Sequence, residues 1–173
     1  MSLAPKSLAP KPNERRFAAL MHTHQGHIRA FLRRLCKNEA LADDLAQETF
    51  LRVYKRLDQL TDQSSQKAWI FQITYRIFLD YIRKENRRKN IDDQRQHPQD
   101  STPAAPHGLK MDIENAMNAL PQDQRAAIIL NISYGFSHTE IAKTLNQPLG
   151  TTKSHITRGK ATLRAFLNAY EKA

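Results

Sequence analysis

Residues 137–166, SHTEIAKTLNQPLGTTKSHITRGKATLRAF, leave the chain little choice but a helix, a tight turn and a second helix. Ser137 can accept a hydrogen bond from the first backbone donors of a helix, and Glu140, three positions on, completes a capping box. Ile141, Ala142 and Leu145 mark one apolar stripe, with Ala142 small enough to admit a crossing helix. Asn146 tolerates the left-handed backbone of a sharp turn, and Pro148 forbids continuation of the first helix. Gly150, Thr151 and Thr152 supply a new N-terminus. The second helix sends Ile156 and Leu163 inward and shows Lys153, Ser154, His155, Arg158, Lys160 and Arg164 outward, with no acidic residue from Gly150 to Arg164. A polar helix tip flanked by cations suits a DNA major groove, where the tip reads base edges and the flank grips phosphates. A helical hairpin with a solvated basic face is the plainer alternative.

The chain has 173 residues, enough for one medium domain or two small ones. Its 27 Lys and Arg against 17 Asp and Glu give a formal net charge of +10, which favours a polyanionic partner. A single cysteine, Cys36, rules out an internal disulfide framework and fits a reducing compartment. No apolar run approaches membrane-spanning length, so no membrane insertion is expected. The opening MSLAPKSLAPKP is a doubled SLAPK unit without the apolar centre of a secretion signal. It reads as a disordered tail over residues 1–12, and the expected location is the cytoplasm, on the nucleoid.

Helical periodicity runs through most of the remainder. From Asn13 to about Cys36, apolar positions at Phe17, Leu20, Met21, His24, Ile28, Phe31, Leu32 and Leu35 predict a first helix. A second is predicted over residues 40–60, with Leu41, Leu45, Val53, Leu57 and Leu60 inward and Asp43, Asp44, Gln47, Glu48 and Arg52 outward. Its early acids and late bases match the helix dipole, so the outer side reads as a well-made solvated face or as a dock for a basic protein. Residues 61–66, TDQSSQ, form a polar loop. The helix that follows, from Lys67 to about Arg88, buries Trp69, Ile70, Ile73, Ile77, Tyr81 and Ile82. Phe71, Tyr75 and Phe78 fall at its margins beside Arg76 and Arg83. Aromatics interleaved with cations can stack on unpaired bases while the cations hold phosphates, or the rings can simply be core. Residues 92–108, rich in Pro and polar residues, form a linker. Beyond it a helix closes at Leu120 and Pro121, and another runs to about Tyr134 with Ala126, Ile129 and Leu130 inward and Ile132 as a further inward candidate. The predicted fold is all-α: two small helical domains, residues 13–91 and 109–173, on a flexible linker.

Three of these segments together resemble the extracytoplasmic-function (ECF) sigma factors of bacterial RNA polymerase. DDLAQETFLRVY, residues 43–54, is similar to the region-two helix that docks on polymerase. KAWIFQITYRIFLDYIRKENRR, residues 67–88, is similar to the helix that opens and holds the −10 promoter element. Residues 118–164, from NALPQDQRAA to KATLR, are similar to region four, which reads the −35 element. The resemblance implies polymerase contacts at Asp43, Asp44, Gln47, Glu48 and Arg52. It implies −10 recognition and melting by Asp62, Gln63, Ser64, Ser65, Trp69, Tyr75, Arg76 and Arg83. It implies −35 recognition by Thr151, Thr152, Lys153, Ser154, His155 and Arg158. The family often has Ala-Arg-Asn where this chain has Thr74, Tyr75 and Arg76, Arg where His155 stands and Val where Thr152 stands.

The implied function is a sigma factor that binds core RNA polymerase, directs it to particular promoter DNA and assists melting. An anti-sigma factor is an implied further partner, and no homo-oligomer is required. No nucleophile elbow, phosphate-cradling Gly loop or metal-ligand spacing is present, so no catalysis, metal or cofactor is expected. Two alternatives differ in kind. A dimeric helix-turn-helix repressor would leave the acidic helix and the aromatic-basic helix without a role, and a nuclease would need a carboxylate cluster for metal. The linker reading has a direct consequence: limited proteolysis should cut first within residues 92–108 and leave two helical fragments. A first cut inside residues 69–82 would overturn the boundary.

Overall fold

The computed structural model describes residues 11–62, 65–92 and 108–170. Among these lie seven α-helices and no strand: α1 (Pro12–Cys36), α2 (Glu39–Lys55), α3 (Gln66–Asp92), α4 (Gly108–Ala119), α5 (Gln122–Tyr134), α6 (His138–Leu145) and α7 (Leu149–Tyr170). Residues 1–10, 63–64, 93–107 and 171–173, which include all but the last residue of the doubled SLAPK unit and most of the expected linker, lie outside the described residues.

The first unit is a bundle of α1, α2 and α3. Helix α1 ends where Lys37 turns left-handed (φ 56°), and Asn38 then caps α2 by accepting from the Leu41 amide at 3.0 Å. Helix α2 stops at Lys55, and a 3₁₀ turn, Leu57–Gln59, takes the place of the continuous helix expected to residue 60. That turn still buries Leu57 and Leu60, while Arg16 of α1 donates to the Leu60 carbonyl. The core joins Ile28, Phe31 and Leu32 of α1, Ala42, Ala46 and Val53 of α2, and Ile70 and Phe71 of α3. Two threonines are buried inside it, and each returns its hydroxyl to its own helix: Thr49 to the Leu45 carbonyl and Thr74 to the Ile70 carbonyl, both at 2.8 Å.

The second unit, α4 to α7, is built around α5, whose Ala126 to Leu130 are all buried. Arg125 ties α4 to α5. Its guanidinium donates to the carbonyls of Met117, Asn118 and Leu120 at 2.8–3.0 Å, which satisfies the otherwise open C-terminal end of α4. Helix α5 ends at left-handed Gly135 (φ 69°). Ile132, a further inward candidate, is 60% exposed, while Tyr134 and Phe136 pack on Phe71 of the other unit. Helix α7 crosses α5 at Gly159. A Cβ there would lie 2.6 Å from Cγ1 of Ile128 and 3.0 Å from its Cδ1.

The two units also touch one another. Helix α3 packs against α6 and α1 against α5. This corrects the burial pattern expected of α3. Phe71, Tyr75 and Phe78, assigned to its margins, are among the most buried side chains of the chain, whereas Trp69, Tyr81 and Ile82 are only half-buried. The helix is covered on two sides, and a single apolar stripe does not describe it.

The turn between α6 and α7 is held by local chemistry. Ser137 Oγ accepts from the Glu140 amide, and the Glu140 carboxylate accepts from the Ser137 amide at 2.8 Å and its hydroxyl at 2.7 Å. These bonds hold the Glu140 carboxyl below its ordinary pKa. Asn146 adopts the left-handed conformation (φ 53°, ψ 50°), and the Gln147 amide bonds back to the Ala142 carbonyl at 2.9 Å.

Gly159→Ala should lower stability by a net of about 1–2 kcal/mol in denaturant titration. Overpacking against stiff, β-branched Ile128 costs about 1–3 kcal/mol and exceeds the gain in helix propensity of about 1 kcal/mol. Ser137→Ala should cost about 1 kcal/mol at neutral pH. Glu140→Gln should also destabilise there, because a carboxyl whose folded pKa is depressed contributes stability above its unfolded pKa. That contribution is lost as pH falls through the folded pKa. The gap between wild type and Glu140→Gln in thermal unfolding should therefore close on acidification.

Candidate nucleic-acid interface

Helix α7 presents its first two turns to solvent. Thr151, Lys153, Ser154 and Arg158 are exposed and His155 is half-buried. Among the described residues no ion pair claims Lys153 or Arg158. Thr152 departs from the expected set: it is fully buried, and it lies on the inward stripe with Ile156 and Gly159, one and two turns on. A DNA contact by the Thr152 side chain is therefore incompatible with this packing. Its Oγ1 has no hydrogen-bond partner, and the residue acts as part of the core under the helix. What remains is an exposed cationic and hydroxylic helix end that the capped α6 and the Asn146 turn hold at a fixed angle.

The residues expected at single-stranded DNA are divided. Arg76 and Arg83 are exposed on α3, with Arg83 3.5 Å from Asp80, and Trp69 is half-buried. Asp62 and Ser65 flank the loop, with the Ser65 hydroxyl donating to the Asp62 carbonyl at 3.0 Å; Gln63 and Ser64 lie outside the described residues. Tyr75 departs from expectation. Only 2% of it is exposed, and its hydroxyl donates to Asp123 of α5 at 2.6 Å. Burial first, then the bond to Asp123, push its phenol above the ordinary value, so it remains a neutral donor. In this arrangement Tyr75 is a contact between units, with no face open to a base.

The acidic face of α2 is built as a lattice. Asp44 and Gln47 are exposed. Asp43 lies 3.7 Å from both Arg29 and Arg33 of α1, Glu48 accepts from Arg52 at 2.9 Å, and Arg52 reaches Asp80 of α3 at 3.6 Å. The half-exposed pairs hold the side chains in place more than they stabilise the fold, since such surface pairs contribute about 0–1 kcal/mol. Beside this face an apolar groove between α1 and α2, about 490 Å³, is lined by Phe17, Met21, Phe50, Leu51 and Tyr54 among others.

Sequence reasoning missed the residues that join the two units. Lys67 Nζ donates to the Tyr134 carbonyl at 2.7 Å and sits 4.8 Å from the centre of the Phe136 ring. Phe71 packs on Tyr134 and Phe136 at 4.8 and 5.3 Å between ring centres, and the Tyr134 hydroxyl donates to the His27 carbonyl at 2.8 Å. The available signal was the Tyr-Gly-Phe at residues 134–136, two aromatics flanking a helix stop.

The comparisons with known proteins agree with this architecture. The chain matches the family model Sigma-70 region 2 over residues 20–88 and Sigma-70, region 4 over residues 110–163. It is 35% identical to the ECF RNA polymerase sigma factor EcfG of Rhodopseudomonas palustris, over 81% of this chain and 78% of that protein. It is 30% identical to SigM of Bacillus subtilis, over 84% of this chain and 91% of that one. With SigE of Mycolicibacterium smegmatis the identity is 34% over 86% of this chain, which spans 60% of that relative's length. Among solved structures, the sigma factor RpoE from Bartonella quintana, in complex with the anti-sigma factor NepR, superposes with a TM-score of 0.76 at 29% identity, covering 89% of this chain and 98% of that one. Two helical units in region-two and region-four order, the second ending in a helix with an exposed basic face, thus meet the same conclusion from geometry and from likeness: the chain belongs to the ECF sigma factors, which direct bacterial RNA polymerase to promoters in transcription initiation.

Proposed function

We propose that three surfaces divide the work of this sigma factor, and that it recruits and positions polymerase without catalysing a reaction itself. Thr151, Lys153, Ser154, His155 and Arg158 on the outer side of α7 contact the −35 element in the major groove. The observation that carries this reading is the unpaired, exposed state of Lys153 and Arg158 on a helix with no acidic residue near its tip. The loop at residues 62–65, with Trp69, Arg76 and Arg83, takes the opened −10 strand, where cations hold phosphates and a ring can stack on a base. Asp43, Asp44, Gln47, Glu48 and Arg52 dock on a basic surface of core polymerase, and the internal pairs of Asp43 and Arg52 are weak enough to be exchanged for partner contacts.

Residues 13–91 and 109–173 act as the two promoter-reading units, joined by residues 92–108. Linking two binders of modest affinity raises the effective concentration of the second once the first is engaged. The likeness to RpoE in complex with NepR supports an anti-sigma factor as a further partner. The work is placed in the cytoplasm, on the nucleoid, and among the described residues no helix is long and apolar enough to cross a membrane.

The acidic face gives the sharpest test. Asp44→Lys combined with Glu48→Lys should leave the helical circular dichroism spectrum intact and abolish pull-down by core polymerase at micromolar concentration. Like charges brought opposite one another cost several kcal/mol, whereas a merely solvated face would lose only about 0.3–1 kcal/mol from the helix dipole. A folded double variant that assembles at wild-type affinity would remove this face from docking.

A further inference from the structure

We propose that the apolar groove between α1 and α2 is the docking site of the chain's own residues 1–10, and that the docked segment competes with core polymerase for the acidic face of α2. The competition rests on the docking reading above; the occupancy of the groove does not.

The groove exposes apolar side chains that the bundle itself leaves uncovered. Leu51 is 57% exposed and Tyr54 49%, one turn apart on α2. With Phe17 and Met21 of α1 and buried Phe50 they line about 490 Å³. A contiguous patch of this kind marks an interaction site, where scattered apolar residues do not. Its direction is fixed at both ends. The rings of Phe17 and Tyr54 meet at 5.0 Å near the start of α1, and Arg29 lies 3.7 Å from Asp43 near the start of α2. At 1.5 Å per residue, Phe17 to Arg29 is about 18 Å.

Residues 1–10 match this groove in reach, spacing and charge. They join α1 through Lys11, six residues before Phe17, which puts the near end of the groove about 9 Å from the point of attachment. Ten residues in polyproline II geometry extend about 31 Å at 3.1 Å each, enough to fold back over that gap and run the length of the groove. The doubled SLAPK unit sets Leu3 and Leu8 five residues apart, about 16 Å in the same geometry. Leu8 then meets the end at Phe17 and Tyr54, and Leu3 the far end. Pro5 and Pro10 favour the extended form, and aromatic-lined grooves take such segments at low entropic cost. Lys6 falls between the two leucines, and residues 1–10 include no acid. Beside the groove, Asp44 and Glu48 stand one turn before Gln47 and Leu51 of its lining. A tether this short holds the segment at an effective concentration on the order of millimolar. The docked segment covers Gln47, a residue of the docking face, so polymerase meets that face only in the fraction of chains whose groove is empty.

The test reads the Met21 methyl signal in NMR spectra of the full chain with isotope-labelled methionine methyls. The signal is identified by its loss in Met21→Leu, and Met117 of α4 serves as reference. Leu3→Ser with Leu8→Ser should move the Met21 signal and leave the Met117 signal in place. Deletion of residues 2–10 should do the same, and a synthetic peptide of residues 1–12, added in trans at millimolar concentration, should return the signal to its wild-type position. A Met21 signal that neither change moves overturns the docking. One that moves with protein concentration and ignores the leucine substitutions puts a second copy in the groove and overturns it equally. These readings need no polymerase, so they stand apart from the fate of the acidic-face docking. With core polymerase, both variants should bind about three- to tenfold more tightly than wild type in a fluorescence anisotropy titration. Wild-type affinity in both removes the competition.

Discussion

Helix α3 is apolar around more of its circumference than one neighbour can cover, and the remainder of the architecture answers that constraint. Ile70, Phe71, Ile73, Thr74, Tyr75, Ile77 and Phe78 are all buried. Burying one Phe side chain contributes about 1.5–3 kcal/mol, so leaving Phe71 open on one side would forfeit a contribution of that order. Helices α1 and α2 cover one side, and α6 with the end of α5 covers the other. A hydroxyl at the boundary, on Tyr75, is compatible with this only because Asp123 accepts from it.

Charge is sorted by surface. Among the described residues, the outer side of α7 has cations without ion-pair partners, α2 has acids braced by Arg29 and Arg33 of α1 and by its own Arg52, which also reaches Asp80 of α3, and α3 has exposed cations beside its buried rings. A chain of net charge +10 would by itself bind any polyanion weakly. Segregation makes the difference: a basic protein surface is drawn to α2 and repelled by α7, so electrostatics favours assembly in one orientation.

Much of this was legible in the sequence where the rules are local. The Ser137 and Glu140 box, the left-handed Asn146 and the break at Pro148 each depend on residues within one or two turns, and each is present in the structure. Thr152 was placed in the −35 set by the resemblance to the family, whereas its spacing to Ile156 and Gly159 puts it on the inner stripe, where it is buried. The burial of Tyr75 and Phe71 was not legible, since the side chains that cover them come from residues 123, 134 and 136, across the chain. The exposure of Ile132 was not legible either: periodicity located a face on α5 without fixing its edge. The individual role of each candidate promoter or polymerase residue rests on exposure and charge, and those depend on how the two units meet.

The guanidinium of Arg125 has a mechanical meaning beyond its hydrogen bonds. By holding three carbonyls at the end of α4 it splices α4 to α5, and the close crossing at Gly159 gears α5 to α7. These two junctions couple α4, α5 and α7 into one stiff body. The second unit thus works as a stiff lever, and the exposed tip of α7 is its pointer.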